Sequence, residues 1–442
     1  MFSLQSIDVA HFLFAMGCLL ALAHLLGFLA ERILIPRVIG EITAGLVLGP
    51  TLLGYFFPDV FQWMFLGFHA EDQLFGLLYQ FGLLMLMFSS GLKFQTKFNK
   101  ADVKITSALV VGATIPAFIV GWFATDLLNV TSYMGSANSP LAIKIVIAIS
   151  IAVTSIPVIS KIFSDLGIMR TRFAKIVLAC AGIHDIILWV ALGYATAIAS
   201  QEGIITFSLG LKTVLINLSF IGGILLTAYF LFNRFTFLKN NFLFRASHLG
   251  YFLFTMFMLA AFAGYLHVET IFGALLAGIM IKLSIPTDEV DKIEYIVSKV
   301  GFAWFIPLYF AIVGLQLDLI QHFNPFYFLG FLLFACFVQT LSVYITSRLI
   351  KQDPLTSLNL AIAINDRGGP GIVLASIAYS TGIVNQEFFA ILVMVALMTS
   401  FLPGVWFRIV LNKKWRLMPG DENLVTEKNK EQLNNKSTNN DR

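Results

Sequence analysis

Apolar runs long enough to span a membrane follow one another through almost the whole chain, and this feature constrains the fold most. A helix that crosses a bilayer needs roughly 20 predominantly apolar residues. Of the 442 residues, 58% are hydrophobic and only 12% are charged, so a water-soluble globule could not bury this much apolar surface. The sequence predicts an all-α, multi-pass membrane protein whose partner is the lipid bilayer, and not nucleic acid.

Charged or Pro/Gly-rich breaks divide these runs into thirteen predicted transmembrane helices. They cover residues 9–31, 37–57, 72–92, 103–125, 140–163, 171–199, 207–232, 246–267, 269–284, 297–317, 325–350, 355–382 and 387–411. Residues 1–411 are therefore predicted to form a transmembrane domain. Residues 412–442 are predicted to be a disordered tail, because the chain from Asp421 onwards is polar, Asn-rich and free of aromatic side chains.

The basic residues are distributed unevenly between the two sides of this predicted topology. All but Lys144, Lys212 and Arg367 of the 29 Lys and Arg residues fall in the connections that follow odd-numbered helices or in the tail. Cytoplasmic connections of membrane proteins carry an excess of Lys and Arg. We therefore expect the amino terminus outside and the carboxyl terminus in the cytoplasm.

Similar motifs occur in the two halves of the chain. An acid followed four residues later by a glycine occurs at Glu41 and Gly45 in the second predicted helix and at Glu269 and Gly273 in the ninth. The run FSSGL in the third helix resembles FAIVGL in the tenth. Seven helices separate each pair, and an odd number reverses the direction of crossing. The sequence therefore predicts two inverted-topology repeats.

Two predicted helices contain breaks near their middles. The breaks consist of polar residues, glycine and proline, and they include Thr154, Ser155 and Pro157 in the fifth helix, and Asp366, Arg367 and Pro370 in the twelfth. Proline removes a backbone hydrogen bond, and unwound backbone at membrane depth is typical of transporter sites. We expect two crossed discontinuous helices, with the Arg367 side chain compensating the carbonyl ends that face it.

The sixth predicted helix carries His184 and Asp185 as the ionisable residues near its middle. A charged carboxylate there costs at least about 2.5–3.5 kcal/mol on insertion scales, so a functional role is expected. Removal from water favours the protonated carboxyl group, whereas a bound cation favours the charged form. Proton and Na+ or K+ would compete for Asp185, and this competition suffices for exchange. Asp185 is thus the predicted site of a transported alkali cation, and no resident cofactor is predicted.

Three runs of sequence resemble the bacterial monovalent cation:proton antiporters, which include sodium/proton exchangers and potassium efflux systems. They are PRVIGEITAGLVLGPTLLG from Pro36, AVTSIPVISKIFSDLGIMRTRFAKIVLACAGIHDIILW from Ala152, and NDRGG from Asn365, and the likeness covers about residues 10–411. The resemblance implies that Asp185 binds the cation beside Thr154 and Ser155. It also implies a core domain that moves like an elevator against a dimerisation domain, a homodimer in the bacterial inner membrane, and a role in pH homeostasis.

Two positions depart from the pattern of that family. His184 stands where members commonly have another acid, Asn or Gln, and Gln339 stands where the family often places a lysine. Without the lysine and the paired acid, electroneutral one-for-one exchange is favoured over electrogenic exchange. The residues leave two roles open for His184, which are a proton relay or pH sensor, and a hydrogen bond in helix packing.

Other functions are weighed against exchange. A sodium-coupled organic anion carrier would share crossed broken helices, but the sequence lacks obvious extra polar groups for a large substrate. A membrane-embedded sensor with the same fold is disfavoured by the intact Asp185 with Thr154 and Ser155. No enzyme is predicted, because no zinc motif, pair of catalytic acids or Ser-Lys dyad is visible. Glu41 and Glu269 are expected to have structural roles.

Overall fold

The computed structural model describes residues 5–33, 35–68, 70–93, 100–127, 130–200, 207–233, 242–285 and 287–421. Helices joined by short connections make up most of this part of the chain. Of the predicted tail, residues 422–442 lie outside the described residues.

The helices are numbered in chain order. They are α1 Ser6–Arg32, α2 Arg37–Leu48, α3 Leu53–Phe56, α4 Pro58–Phe61, α5 Glu71–Leu92, α6 Lys100–Leu127, α7 Pro140–Ala152, α8 Ile156–Asp165, α9 Arg172–Ala199, α10 Phe207–Asn233, α11 Phe242–Ala246, α12 His248–Tyr265, α13 Thr270–Ser284, α14 Thr287–Val300, α15 Ile306–Leu315, α16 Pro325–Leu349, α17 Pro354–Ile364, α18 Gly368–Ser380 and α19 Gln386–Asn412. Short π-helical turns, Gln62–Leu66 and Gly301–Phe305, precede α5 and α15.

The apolar composition of these helices confirms the predicted all-helical membrane class. Nine helical segments of the described chain are long and apolar enough to cross a bilayer. Shorter apolar stretches occur at Pro140–Ala152, Val214–Phe230 and Thr270–Ser284. The second predicted helix is interrupted after Leu48, and the tenth continues a helix that already begins at Thr287.

Polar residues fix the starts of the helices that build the site. Ser139 caps α7 by accepting a hydrogen bond from the Ala142 N–H, and Thr171 caps α9 in the same way. Asp353 and Asn385 cap α17 and α19. Such side chains satisfy N–H groups that have no partner within the first turn. The local sequence therefore determines where these helices begin.

The most extensive helix contacts fall into two groups. One group contains α6 to α9 and α16 to α19, and the other contains α1, α2, α5, α12, α13 and α15. The long helix α10 packs against α9 of the first group and against α13 of the second. Both broken helices belong to the first group.

Two pairs of helices in the second group cross at glycines. Gly45 of α2 meets Gly314 of α15, and Gly91 of α5 meets Gly278 of α13. A Cβ atom on any of these four glycines would overlap a carbonyl oxygen of the facing helix. In each case that oxygen belongs to the residue three positions before the facing glycine. The two crossings therefore have the same geometry, and larger residues would separate the helices.

The segment after α19 folds back onto the first group. Leu417 and Met418 are fully buried. The Asp421 carboxylate accepts hydrogen bonds from the N–H groups of Arg172 and Phe173, at 2.7 and 3.1 Å. Since a carboxylate is stabilised at a helix N-terminus, this contact helps to hold the start of α9.

Candidate ion-binding site at the helix crossing

The two broken helices touch at their unwound segments. Residues 153–155 separate α7 from α8, and residues 365–367 separate α17 from α18. The Ser155 N–H donates to the carbonyl oxygen of Asp366 at 2.7 Å, and the Thr154 hydroxyl donates to the carbonyl oxygen of Ile364 at 2.7 Å. One backbone N–H and one side-chain hydroxyl of the first break thus satisfy carbonyl oxygens at the second.

Proline and glycine shape the restarts of both helices. Pro157 and Pro370 lie in the first turns of α8 and α18, where a missing N–H costs no helical hydrogen bond. Gly368 has φ +32°, and a Cβ there would clash with the Ser155 side chain. A residue other than glycine would therefore push the two segments apart.

The Arg367 side chain is buried in the crossing and donates mainly to backbone carbonyls. Its Nε bonds the carbonyl oxygen of Ser150 at 2.8 Å, and one terminal nitrogen bonds those of Ile151 and Ala335 at 3.1 and 3.0 Å. The other bonds the Asn365 side chain at 2.9 Å. Ser150 and Ile151 belong to the last turn of α7, so the guanidinium opposes the negative end of that half-helix.

Asp366 is the buried negative group of the same crossing. Its Oδ1 accepts a hydrogen bond from the Ser400 hydroxyl of α19 at 2.8 Å. Its Oδ2 has no hydrogen-bond partner among the described residues. Asp366 lies two residues before α18, where a negative charge is favoured by the helix dipole. The negative Asp366 therefore lies near the N-terminal end of α18, and the positive Arg367 lies at the C-terminal end of α7.

Gln339 of α16 also contacts the end of α7. Its side-chain nitrogen donates to the carbonyl oxygen of Ala152 at 3.3 Å, and the residue is fully buried. An uncharged side chain thus donates to this half-helix end.

Asp185 lies near the middle of α9 and is fully buried. Neither carboxylate oxygen has a hydrogen-bond donor among the described residues. Helix α9 contacts α7, α8, α17 and α18, so this acid is carried by the helix that packs against both broken helices. Among the buried acids of the crossing, Asp185 is the one whose two oxygens both remain available for a proton or a cation.

His184 joins α9 directly to the first break. Its Nδ1 lies 3.0 Å from the Thr154 hydroxyl oxygen, and its Nε2 lies 3.8 Å from the Cys180 sulfur. The Thr154 hydroxyl hydrogen is already donated to Ile364, so the Nδ1–H of His184 donates to Thr154. This contact is a hydrogen bond in helix packing, which is one of the two roles that the sequence leaves open for His184.

A small cavity lies beside His184. Its volume is about 40 Å³, and its lining includes Thr114, Phe118, Ala152 and Val153. One water molecule needs roughly 10–15 Å³ by this kind of measure. The cavity therefore has room for a few water molecules, and Asp185 is not among its lining residues.

The structure brings most of the predicted site residues together. Thr154, Ser155, Asp366, Arg367 and Gln339 share the crossing, and His184, which precedes Asp185 on α9, contacts Thr154. Asn365 of the NDRGG motif also belongs to this network, as do three partners that the sequence did not indicate, namely Cys180, Thr399 and Ser400.

Glu41 lies outside this network. It is buried in α2 and pairs with Arg37 at 3.0 Å, and Arg37 also contacts the His24 ring. A buried carboxylate with a cationic partner one helical turn away has a sufficient structural explanation.

Comparison with known proteins assigns the chain to a family. The family described as "Sodium/hydrogen exchanger, transmembrane" matches residues 19–413. The chain belongs to this sodium/hydrogen exchanger family.

Individual relatives match along most of the chain. It is 27% identical over 403 residues to the Na(+)/H(+) antiporter NhaS4 of Synechocystis sp. The aligned region covers 87% of this chain and 93% of the relative. It is also 27% identical over 426 residues to the K(+)/H(+) antiporter 1 of Saccharomyces cerevisiae. That aligned region covers 92% of this chain and 47% of the relative. The chain thus spans about half the length of the yeast relative.

A solved structure has a similar fold. The sodium proton antiporter MjNhaP1 from Methanocaldococcus jannaschii superposes with a TM-score of 0.62 at 16% identity, covering 91% of this chain and 98% of the other. This likeness shows that the all-helical membrane fold is shared.

Proposed function

We propose that this protein is a secondary antiporter that exchanges Na+ or K+ for H+, with Asp185 as the binding group that both ions share. The observation that carries the proposal is the fully buried Asp185 carboxylate, whose two oxygens have no hydrogen-bond donor among the described residues. The family to which the chain belongs supports the same function.

Competition at one carboxylate suffices to couple the two ions. The charged carboxylate is costly at this depth, so an empty carrier crosses reluctantly. Either a proton or an alkali cation removes that charge, and the two exclude each other from the same oxygens. The gradient of one ion then drives transport of the other.

The balance of charges at the crossing supports electroneutral exchange. Asp366 and Arg367 are neighbours of opposite charge, and each faces helix ends of the opposite polarity. Gln339 and His184 add no fixed charge. Asp185 is then the single uncompensated group, so one cation replaces one proton in each cycle.

The grouping of the helices supports an elevator-type movement. The group with the crossing would move as a core domain against the group that contains α2, α5, α13 and α15, which would form the dimerisation domain of a homodimer. The matched glycine crossings support the two inverted repeats, with Gly278 as the counterpart of Gly45 by its contacts. We place the protein in a bacterial inner membrane with thirteen crossings, the amino terminus outside and the carboxyl terminus in the cytoplasm.

A single buried carboxylate favours a small inorganic cation as the substrate, because the proposed site offers few further polar groups to a larger one. The cavity of about 40 Å³ beside His184 does not include Asp185 in its lining. Transport without chemical conversion of a substrate is therefore the function that we propose.

Reconstitution into vesicles that contain a pH-sensitive dye tests the proposal. After a proton gradient is imposed, addition of Na+ or K+ should cause dequenching by the wild-type protein and by the control variant Asp353→Asn, whose carboxylate caps α17 away from the site. Asp185→Asn should give no cation-dependent signal. Rates that do not change when the membrane potential is clamped would support one-for-one exchange, and undiminished exchange by Asp185→Asn would refute the site.

A further inference from the structure

A long apolar groove lies between α10 and α12. Both helices pack against α13. The groove has a volume of about 700 Å³, and its lining residues are mostly apolar or small, including Leu215, Ser219, Gly223, Thr227, Leu259, Phe262 and Leu266. Such a groove on a membrane protein suits a hydrocarbon chain.

A polar cavity continues the groove at one end. It has a volume of about 600 Å³ and shares Lys212, Ile216 and Leu266 with the groove. Its lining also includes His267 and Glu269. The combined space is therefore apolar along most of its length and carries both a cationic and an anionic side chain at one end.

The dimensions match one lipid molecule in one leaflet. The lining residues on α10 run from Lys212 to Thr227, a distance of roughly 22 Å at 1.5 Å per residue. Half of a bilayer, including its head groups, is also about 20–22 Å thick. Lys212 lies near the first turns of α10, where the predicted topology places the membrane surface. A lipid with its head at Lys212 would thus reach along α10 towards Thr227.

The two charged side chains of the polar cavity, Lys212 and Glu269, favour a lipid head group that carries both charges. A phosphate needs a cationic partner such as Lys212, and a primary ammonium group needs an acceptor such as the Glu269 carboxylate. We propose that the groove and the cavity together bind one phosphatidylethanolamine molecule, with its phosphate at Lys212 and its ammonium at Glu269. Phosphatidylcholine lacks the N–H donors, and phosphatidylglycerol lacks the positive charge.

The position of the lipid links the bilayer to the ion site. Helix α10 packs against α9, which carries Asp185, and Gly193 and Thr196 of α9 line the polar cavity. The head group would lie beside the end of α9, and the acyl chain along α10 from Lys212 towards Thr227. The proposal is independent of which ions the protein exchanges.

Native mass spectrometry of the purified protein, titrated with each of the three phospholipids with identical acyl chains, tests this proposal. We expect the wild-type protein to bind phosphatidylethanolamine about tenfold more tightly than phosphatidylcholine, the ratio expected for one charge-assisted hydrogen bond. Glu269→Gln should remove this preference. Lys212→Gln should weaken the binding of all three lipids.

Matched controls are Glu71→Gln and Lys292→Gln, which remove the same charges at positions that do not line the groove or the cavity. Both should keep the wild-type preference. The comparison of lipids within each variant cancels any general loss of stability. Equal affinities of the wild-type protein for the three lipids, or an unchanged preference in Glu269→Gln, would overturn the proposal. Efficient disulfide cross-linking of two chains through Gly223→Cys would also overturn it, because a second copy would then occupy the groove.

Discussion

Asp185 and Asp366 are both fully buried in the same helix group, but their surroundings differ. Asp366 accepts a hydrogen bond from Ser400, precedes a helix N-terminus and is followed by Arg367. Asp185 lies inside a continuous helix, and its oxygens have no donor among the described residues. Burial alone therefore does not separate Asp366 from Asp185, the ion carrier that we propose. The difference lies in how much of the negative charge the protein itself compensates.

The position of each acid in its helix explains this difference. An unwound segment exposes N–H groups and half-helix ends, and these stabilise a carboxylate without any ion. In the middle of α9 the N–H groups are already used within the helix. An acid there needs a proton or a cation as its partner, and the first three predictions test this contrast directly.

The largest effect is expected from Asp185→Asn. The amide cannot bind a cation as a carboxylate does, so cation-dependent proton movement in vesicles should fall to background. Because a neutral side chain is less costly than a charged one at this depth, the melting temperature in detergent should stay the same or rise. Wild-type exchange by this variant would remove the contrast between the two acids.

Arg367→Gln should cause the largest loss of stability. The substitution leaves the carbonyl oxygens of Ser150, Ile151 and Ala335 without their donor and removes the charge beside Asp366. Removing one member of a buried charge network typically costs about 3–5 kcal/mol. Thermal unfolding in detergent measures the change, and Arg408→Gln on α19 is a control. A melting temperature equal to that of the wild-type protein would show that the crossing does not depend on this side chain.

Asp366→Asn should have a smaller effect and a different character. The new side chain can still accept a hydrogen bond from Ser400, but Arg367 loses its neighbouring charge, and we expect a loss of about 1–3 kcal/mol. Exchange should continue with the same ion stoichiometry, because Asp185 is unchanged. The measurements are thermal unfolding and vesicle transport. A stable Asp366→Asn variant without any exchange would make Asp366 a second ion-binding group.

The smallest effect is expected at Asp353, an acid outside the membrane-spanning segments. Burial acts to raise its pKa, but hydrogen bonds from Thr356 and the charge of Arg416 lower the pKa below its usual value. Asp353→Ala should cost about 1 kcal/mol near pH 7 through the lost helix cap. Because the lowered pKa stabilises the protein above the usual value of about 4, this difference should shrink as the pH falls through the lowered pKa. Melting temperatures at pH 7 and below pH 4 provide the check, and a constant difference would contradict the assignment.

The sequence predicted the helical class, the approximate helix bounds and both helix breaks, because apolar run length, proline and glycine are local signals. The sequence was a poorer guide to which glycine of one half corresponds to which glycine of the other. Spacing from the acids matched Gly45 with Gly273, whereas in the repeats that we propose the contacts would make Gly278 the counterpart of Gly45. Helix register depends on which faces pack together, and that information is not local.

Most hydrogen-bond partners of the site residues could not be predicted from the sequence either. Ser400 and Thr399 lie within an apolar helix, where hydroxyl residues normally bond their own backbone. Only the packing of α19 against the break places them at Asp366 and Arg367. The contact between Cys180 and His184 could have been inferred from their i, i+4 spacing on one helix.

Isothermal titration calorimetry in two buffers of different ionisation enthalpy tests the shared site most directly. Binding of Na+ or K+ should release one proton per ion in the wild-type protein and in Asp366→Asn, and Asp185→Asn should show neither binding nor release. Cation binding without release of a proton, at a pH where the wild-type protein is active, would show that the two ions do not compete for Asp185.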